Sequence, residues 1–235
     1  MHGIVITGTD TGVGKTVVGC GLAAALTAQG RRVGVLKPAE TGCVCRDGEL
    51  YAEDAMRLAA FARSSLSRDQ VCPYRFAPPV APSVAAELAG VAIEPQRIAA
   101  VFEQTAACHD FTIVEGAGGL LVPLHGRYTF ADLTRDLRLP LLVVVGSKLG
   151  ALNHTLLTLH CAQTRSIPLV GYILNHPAPA SDIAIQTNAR TLAHLTDVPC
   201  IGALPFLSLS GDVERDRTLF CEVFPSAVDL AAVLR

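Results

Sequence analysis

The stretch from Gly8 to Thr16, which reads Gly-Thr-Asp-Thr-Gly-Val-Gly-Lys-Thr, most constrains how this chain folds. It follows a short apolar run, residues 3–7, and precedes a helical pattern that extends to about Gln29. Glycines let a backbone wrap closely around an anion, and the loop N–H groups and the helix N-terminus then point at it. Lys15 can neutralise the anion, and the Thr16 hydroxyl can hold Mg²⁺. The stretch therefore predicts a phosphate-binding loop.

The loop is a variant of the P-loop. The standard motif places four residues between its first glycine and the Gly-Lys-Thr triplet, whereas five residues separate Gly8 from Gly14 here. A Gly-Lys-Thr triplet alone is a weak signal. The strand before it, the helix after it and three glycines in the loop favour phosphate binding over a turn with no ligand.

Composition limits the possible partners. Charged residues make up 17% of the chain and hydrophobic residues 50%, which suits a sheet buried on both faces and leaves some apolar surface for a subunit interface. The net charge of -2 gives no basic footprint, so no nucleic-acid partner is expected. No apolar run reaches the roughly 18 residues that span a bilayer, and Asp10 and Lys15 interrupt any signal peptide. We expect a cytoplasmic protein without a membrane partner.

The eight cysteines are scattered along the chain. Cys20, Cys108 and Cys161 fall in apolar helix or strand patterns, which predicts small buried hydrophobic side chains. Cys43 and Cys45 are one residue apart and lack the two-residue spacing of redox and zinc pairs. We expect reduced thiols, and the histidines show no metal-ligand spacing either.

Apolar runs rich in Val, Ile and Leu are predicted to be parallel strands, at residues 3–7, 33–37, 111–114, 141–145, 169–174 and 200–203. Helical patterns lie between them, at residues 15–29, 50–62, 83–89, 94–107, 152–163 and 181–195. This alternation predicts an α/β fold with a single doubly wound, mostly parallel sheet of the P-loop NTPase type. We expect one domain over residues 1–235, because the proline-rich stretch 72–83 keeps apolar residues and indicates an ordered surface loop.

In such sheets the ligand lies beyond the carboxyl ends of the strands. Glu115 directly follows a strand, where a Mg²⁺ ligand opposite Thr16 is needed, although a cap or loop acid would look the same. Asp54, early in a helix, taken alone only suits the helix dipole. Lys37 ends a strand, where a lysine can simply be exposed to solvent. Alternatively, Lys37 and Lys15 together bring two positive charges to a phosphoryl group during its transfer.

Asn175 follows another strand and can present a donor and an acceptor together, as reading a purine edge requires. An asparagine in a turn before His176 and Pro177 is the equally plausible structural interpretation.

These residues resemble the dethiobiotin synthetase family across nearly the whole chain. The matching blocks are the phosphate loop, Lys37-Pro38 with Thr41-Gly42, Glu53-Asp54-Ala55, Phe76-Ala77-Pro78 with Pro82, Val114-Glu115-Gly116-Ala117-Gly118-Gly119, Lys148-Leu149-Gly150, Asn153-His154, and Asn175. The resemblance implies that 7,8-diaminononanoate, CO₂ (or bicarbonate) and MgATP are converted to dethiobiotin, ADP and phosphate in biotin synthesis. It also implies a homodimer with sites near the subunit interface.

The resemblance assigns roles to particular residues. Lys37 and Lys15 would be catalytic, and Thr16, Asp54 and Glu115 would hold Mg²⁺, so that Asp54 becomes a ligand on the resemblance alone. Thr11 and Thr41 would contact the carbamate or diamine, and Gly150 and Asn153 of the partner subunit the substrate's carboxylate tail. The nucleotide would be held by Gly12, Val13, Gly14, Lys15, Thr16, Val17, Asp54, Glu115, Gly116, Ala117 and Gly118 at its phosphates, and by Asn175, His176, Leu204, Pro205 and Phe206 at its adenine.

The chain departs from the family at several positions. Many relatives carry glutamate at Gly12 and aspartate at His176, and some use a tyrosine near Thr187 for the carboxylate tail. The preference for a nucleotide base and the recognition of the carboxylate tail are therefore the two family properties that these substitutions affect most. The segment 43–47 has no family role.

Two other functions compete with this one. A small-molecule kinase would add an arginine-rich lid, for which Arg127, Arg135 and Arg138 are the candidates, and their spacing suggests a solvated face. A partitioning or positioning switch ATPase would carry a further lysine near the start of the loop and often a basic amphipathic tail. This chain has neither, since its tail, residues 226–235, is apolar with one arginine.

Overall fold

The computed structural model describes residues 3–179 and 183–235, in which strands and helices alternate. The strands are β1 (Gly3–Gly8), β2 (Val33–Leu36), β3 (Ala39–Thr41), β4 (Val44–Arg46), β5 (Glu49–Tyr51), β6 (Tyr74–Phe76), β7 (Phe111–Gly119), β8 (Pro123–His125), β9 (Tyr128–Thr129), β10 (Leu141–Gly146), β11 (Leu169–Asn175) and β12 (Cys200–Leu204). The helices are α1 (Lys15–Ala28), α2 (Glu53–Phe61), α3 (Arg68–Val71), α4 (Pro82–Leu88), α5 (Pro95–Cys108), α6 (Phe130–Asp136), α7 (Ala151–Thr164), α8 (Ile183–Leu195), α9 (Val213–Ala227) and α10 (Leu230–Val233).

The central sheet has six strands in the order β12-β11-β10-β1-β7-β2, and all its pairings are parallel. All six predicted strands are confirmed. The chain leaves β1 toward one edge of the sheet and later crosses β1 to build the other half. The carboxyl end of β1 therefore lies where the winding reverses, which is where α/β sheets bind their ligands.

Helices cover both faces of the sheet, as the prediction of a doubly wound fold requires. One apolar layer contains α1, α2 and α9, with Leu22, Phe61 and Phe220 in its centre. The other contains α4 to α8, with Phe102 and Phe130 among its largest buried side chains. The two central strands between them, β1 and β10, are buried along their whole length.

The sequence analysis did not predict helix α9. It packs along α1, where a Cβ atom added at Gly21 would lie 2.2 Å from the ring of Phe224. Phe220 meets Phe61 edge to face, with ring centroids 5.4 Å apart and an interplanar angle of 79°. The glycine therefore lets α9 pack close to α1, the helix that follows the phosphate loop, and the aromatic pair joins α9 to α2.

The segment before α2 differs from the prediction. The helix expected over residues 50–62 begins only at Glu53, because Glu49–Tyr51 forms β5 and pairs antiparallel with β4. The segment 43–47 is thus part of a hairpin. In the proline-rich stretch 72–83, β6 pairs in parallel with β3, so this stretch carries regular structure.

Other expectations have mixed outcomes. All eight cysteines are free thiols, as expected, and Cys20 is buried, but Cys108 is exposed because it ends α5 on the solvent side. The prediction of a buried Cys108 is therefore wrong. The helix expected over residues 181–195 runs from Ile183 to Leu195, and residues 181 and 182 lie outside the described part of the chain. Within that part, no helix has the length and apolar character to cross a bilayer.

Candidate active site

A cleft of about 320 Å³ opens at the carboxyl end of β1, between the phosphate loop, the start of α2 and the end of β7. Most of its lining consists of residues that the sequence placed in the site, namely Thr11, Gly12, Gly14, Lys15, Thr16, Val17, Lys37, Thr41, Asp54, Glu115, Ala117 and Gly118. Glu40 and Arg57 complete the lining. The two lysines, the two carboxylates and the threonine hydroxyl therefore meet in one place.

A hydrogen bond from the side chain of Asn175 anchors the phosphate loop. Gly14, the residue before α1, has a φ of +93°, and a Cβ atom there would lie 2.1 Å from Nδ2 of Asn175, so this position requires glycine. The same Nδ2 donates to the carbonyl oxygen of Val13 at 2.8 Å. Val13 and Asn175 are both buried, so one hydrogen bond ties the end of β11 to the loop. The predicted contact of Asn175 with a base stays a prediction.

Lys15 is buried at the start of α1, and its Nζ donates to the carbonyl oxygen of Asp10 at 3.3 Å. Burial lowers its pKa, and the positive charge of Lys37 lowers it further against the opposing effect of Glu115. An ammonium group that is poorly solvated and lacks a close carboxylate gains most from an incoming phosphate.

Lys37 lies at the centre of a buried ionic network. Its Nζ donates to Oδ2 of Asp54 at 2.7 Å and to Oε1 of Glu115 at 2.8 Å, and it lies 4.0 Å from Oε2 of Glu40. Burial alone would lower its pKa, but the carboxylates of Glu115, Asp54 and Glu40 outweigh burial and raise it above the ordinary value. Lys37 is therefore a permanent cation in the cleft.

Glu115 connects this network to the phosphate loop. Its side chain is completely buried, and Oε1 accepts hydrogen bonds from Lys37 and, at 2.8 Å, from Oγ1 of Thr16. Its Oε2 has no hydrogen-bond partner among the described residues. The prediction that Glu115 follows the end of a strand is wrong, since β7 continues to Gly119 and Glu115 lies opposite Ile6 of β1. The extended backbone explains how a single strand supplies both the carboxylate and the small residues after it.

Asp54, in the first turn of α2, supplies the second carboxylate of the network. Burial raises its pKa, but the charge and hydrogen bond of Lys37, together with a hydrogen bond from Thr16, outweigh burial and lower it. Its side chain remains 51% exposed on the cleft side. Asp54 is thus an ionised carboxylate that faces both Lys37 and the opening.

The donor set fits Mg²⁺. Thr16, Asp54 and Glu115 place hydroxyl and carboxylate oxygens beside one another in the cleft. Within residues 3–179 and 183–235, no three His, Cys, Asp or Glu side chains form a complete metal site by themselves. Mg²⁺ commonly binds through one or two carboxylates plus phosphate oxygens of the substrate, so an incomplete protein set is what this ion requires.

Two lining residues were missed by the sequence interpretation. Arg57 follows Asp54 by three residues and so lies on the same side of α2, a spacing that could have identified it. Within the described residues Arg57 makes no ion pair. Glu40 binds backbone groups that lie 14 and 15 residues further along the chain, so no local pattern marks it.

The remaining predicted residues lie beside the cleft or away from it. Val13, within the loop, and Gly116, on β7, are buried. The backbone N–H of His176 donates to the Leu204 carbonyl at 3.0 Å. This bond brings the ends of β11 and β12 together next to Asn175, with Pro205 and Phe206 exposed beyond them. Gly150 and Asn153 lie exposed at the start of α7 and do not line the cleft of their own chain. The hydroxyl of Thr187 donates to the carbonyl of Ile183 within α8.

Comparison with solved structures identifies the fold. The chain is similar to a ParA family ATPase from Chlorobium tepidum, with a TM-score of 0.55 and 16% identity over 96% of this chain and 92% of that one. It is also similar to a chain of the MinC:MinD cell division complex of Aquifex aeolicus, with a TM-score of 0.58 and 17% identity over 99% of this chain and 93% of that one. The doubly wound P-loop fold is therefore confirmed.

Comparison of sequences gives the family. A family model described as an AAA domain matches residues 2–214. The ATP-dependent dethiobiotin synthetase of Thermodesulfovibrio yellowstonii is 41% identical over 92% of both chains, and that of Anaeromyxobacter dehalogenans strain 2CP-C is 42% identical over 88% of this chain and 91% of its own. Lys15, Lys37 and the three proposed metal ligands meet in one cleft of a chain this similar to these synthetases. The chain belongs to the dethiobiotin synthetase family.

Proposed function

We propose that this chain is an ATP-dependent dethiobiotin synthetase, which closes 7,8-diaminononanoate and CO₂ into the cyclic urea of dethiobiotin with release of ADP and phosphate. The observation that carries the proposal is the single cleft shared by the phosphate loop, Lys37, Asp54 and Glu115. The reaction must bring two anions together, the γ-phosphate and a substrate carbamate. A cleft with two buried ammonium groups suits that requirement.

The chemistry has three steps. One amine of the diamine adds to CO₂ and loses a proton, which gives a carbamate. A carbamate oxygen attacks the γ-phosphorus of ATP and ADP leaves, so that a carbamic-phosphoric anhydride forms. The second amine then attacks the carbonyl carbon, phosphate leaves with the bridging oxygen, and loss of a proton gives the urea ring.

The residues divide this work by position. Lys15 extends from the phosphate loop and binds the phosphates, while Lys37 offsets the charge of the carbamate and γ-phosphate. Thr16, Asp54 and Glu115 would hold Mg²⁺, which would supply positive charge to the phosphate oxygens. Because burial and neighbouring charge set the pKa values of the two lysines in opposite directions, they are not equivalent. Lys37 stays fully protonated throughout.

The substrates are assigned to the surrounding surface. The backbone of residues 12–17 and 115–118 holds the phosphates. The adenine binds at the adjacent ends of β11 and β12, to Asn175, His176 and residues 204–206. Thr11 and Thr41 contact the diamine or its carbamate from the cleft wall. Gly150 and Asn153 bind the carboxylate tail across the interface of a homodimer, which agrees with their position outside the cleft of their own chain. We also infer one domain and a cytoplasmic location.

The competing functions are less well supported. A kinase lid would need free arginines over the phosphates, but Arg135 lies on α6 beside Asp132 and Asp136, with its side chain exposed. A switch ATPase would share the fold of ParA and MinD proteins, so the fold alone favours neither function. The sequence similarity decides for the synthetase.

The test is the substrate dependence of phosphate release. Purified protein with MgATP should release phosphate only when both 7,8-diaminononanoate and bicarbonate are present. Release that ignores the diamine, or that lipid or DNA stimulates, would favour the switch ATPase instead.

A further inference from the structure

Glu40 is a buried carboxylate that no proposed step of the reaction uses. It lies on β3, next to Thr41, and lines the cleft with 7% of its surface exposed. Its Oε1 accepts the backbone N–H of Asp54 at 3.1 Å, and its Oε2 accepts the backbone N–H of Ala55 at 2.9 Å. Both of its oxygens are therefore bound to the first turn of α2.

Glu40 acts as the N-terminal cap of α2, because the residue before that helix has no capping side chain. The residue before the helix is Ala52, which has no side-chain acceptor for the free N–H groups of the first turn. In an ordinary helix the side chain at this position accepts from the second or third helical residue, and those residues here are Asp54 and Ala55. A carboxylate that comes from another strand thus caps the helix, and the positive end of the helix dipole offsets its charge.

This cap determines where the carboxylate of Asp54 lies. The side chain of Asp54 is 51% exposed, so packing does not immobilise it. Its backbone is fixed by Glu40, and its Oδ2 then reaches Nζ of Lys37 at 2.7 Å. Glu40 itself lies 4.0 Å from that Nζ, beyond hydrogen-bond distance.

We propose that Glu40 is a positioning residue, which holds the start of α2 so that Asp54 is correctly placed as a metal ligand. It also joins β3, which carries Thr41, to α2, which carries Asp54. The effect on the metal rests on the proposed function of this cleft. The effect on the backbone of α2 does not.

The test compares Glu40→Ala with a variant that restores the cap locally. In Glu40→Ala, NMR amide exchange should accelerate at Asp54 and Ala55, and Mn²⁺ binding to the ADP complex should weaken about tenfold, as expected for a lost buried hydrogen-bond pair. The Mg²⁺ concentration for half-maximal turnover should rise by a similar factor, with a smaller change in kcat. Adding Ala52→Ser supplies an acceptor for one of the two amides, and it should recover part of both effects.

Glu53→Ala is the matched control. Glu53 is the neighbouring acid in the first turn of α2, but it is exposed and pairs with Arg46 rather than with the cleft. Its removal should leave amide exchange at Asp54 and Ala55 and the Mn²⁺ affinity unchanged.

Three results would overturn the proposal: unchanged exchange at both amides in Glu40→Ala, unchanged Mn²⁺ affinity, or no recovery with Ala52→Ser. If Glu40→Ala does not fold, Glu40→Gln serves in its place, because its NH₂ group replaces one of the two carboxylate oxygens and cannot accept from the backbone N–H that this oxygen binds. Full protection of both amides in Glu40→Gln would then contradict the proposal. If the unaltered protein shows no diamine-dependent turnover, the proposed function is wrong. The faster amide exchange at Asp54 and Ala55 in Glu40→Ala would still be expected.

Discussion

Nζ of Lys37 lies 2.8 Å from Oε1 of Glu115, and both side chains are buried. The lysine comes from the end of β2 and the glutamate from the neighbouring strand β7, so the parallel pairing of the two strands places them together. Oε1 also accepts from Thr16 of the phosphate loop. One carboxylate oxygen therefore links the lysine to the loop.

Lys37→Ala should lower kcat by about two to three orders of magnitude and leave ATP binding measurable. Removing one charged group that stabilises the reacting phosphate typically costs about 10²- to 10³-fold in kcat. The phosphate loop and Lys15 remain, so isothermal titration with ATP should still detect binding. Lys37→Met keeps the apolar stem and should match the alanine variant if the charge is what matters. A turnover near that of the unaltered protein in either variant would end the catalytic assignment.

Arg57→Ala should weaken nucleotide binding. Arg57 lines the cleft and, within the described residues, has no carboxylate partner, so its charge is available to an anion. One partly exposed charge contact of about 1 kcal/mol corresponds to a roughly fivefold rise in the Kd of ATP. Arg63→Ala is the control, since Arg63 is exposed and pairs with Glu214. Equal ATP affinities for the two variants at low salt would contradict this role.

The pairing of Arg32 with Asp110 predicts a pH-dependent contribution to stability. Hydrogen bonds from Arg32 lower the pKa of Asp110 to about 2. Because this folded-state pKa lies below that of the unfolded chain, near 4, the contribution is complete above about pH 4 and is lost as pH falls toward 2.

Chemical unfolding of Asp110→Asn measures this contribution. The substitution should reduce the free energy of unfolding at pH 7 and have little effect near pH 2. An equal loss of stability at both pH values would show that the charge of Asp110 is not responsible.

The sequence predicted the sheet because the relevant signals are local. Six apolar runs gave six strands, and the glycines of the loop marked the position around Gly14 that requires a positive φ. The sequence also predicted that Lys37 and Glu115 lie close together, although Glu115 lies in the middle of β7 rather than at its end. Parallel strands bring residues near their carboxyl ends to a common edge.

What the sequence did not predict depends on contacts between distant segments. The hairpin of β4 and β5 was assigned partly to a helix because Leu50 and Tyr51 continue the apolar pattern of α2. Helix α9 was missed although Phe220 and Phe224 have helical spacing, since its many charged residues and Pro225 obscure the pattern. No local sequence pattern in β3 or α2 indicates the hydrogen bonds of Glu40 to the start of α2.

The most direct test of the central claim, that this cleft lets a carbamate oxygen attack the γ-phosphate, is the fate of ¹⁸O from labelled CO₂. With ATP, 7,8-diaminononanoate and ¹⁸O-labelled CO₂, mass spectrometry early in the reaction should find one ¹⁸O atom in each released phosphate and one in the urea carbonyl. Phosphate that carries no ¹⁸O would mean that water attacks ATP, and it would contradict the account.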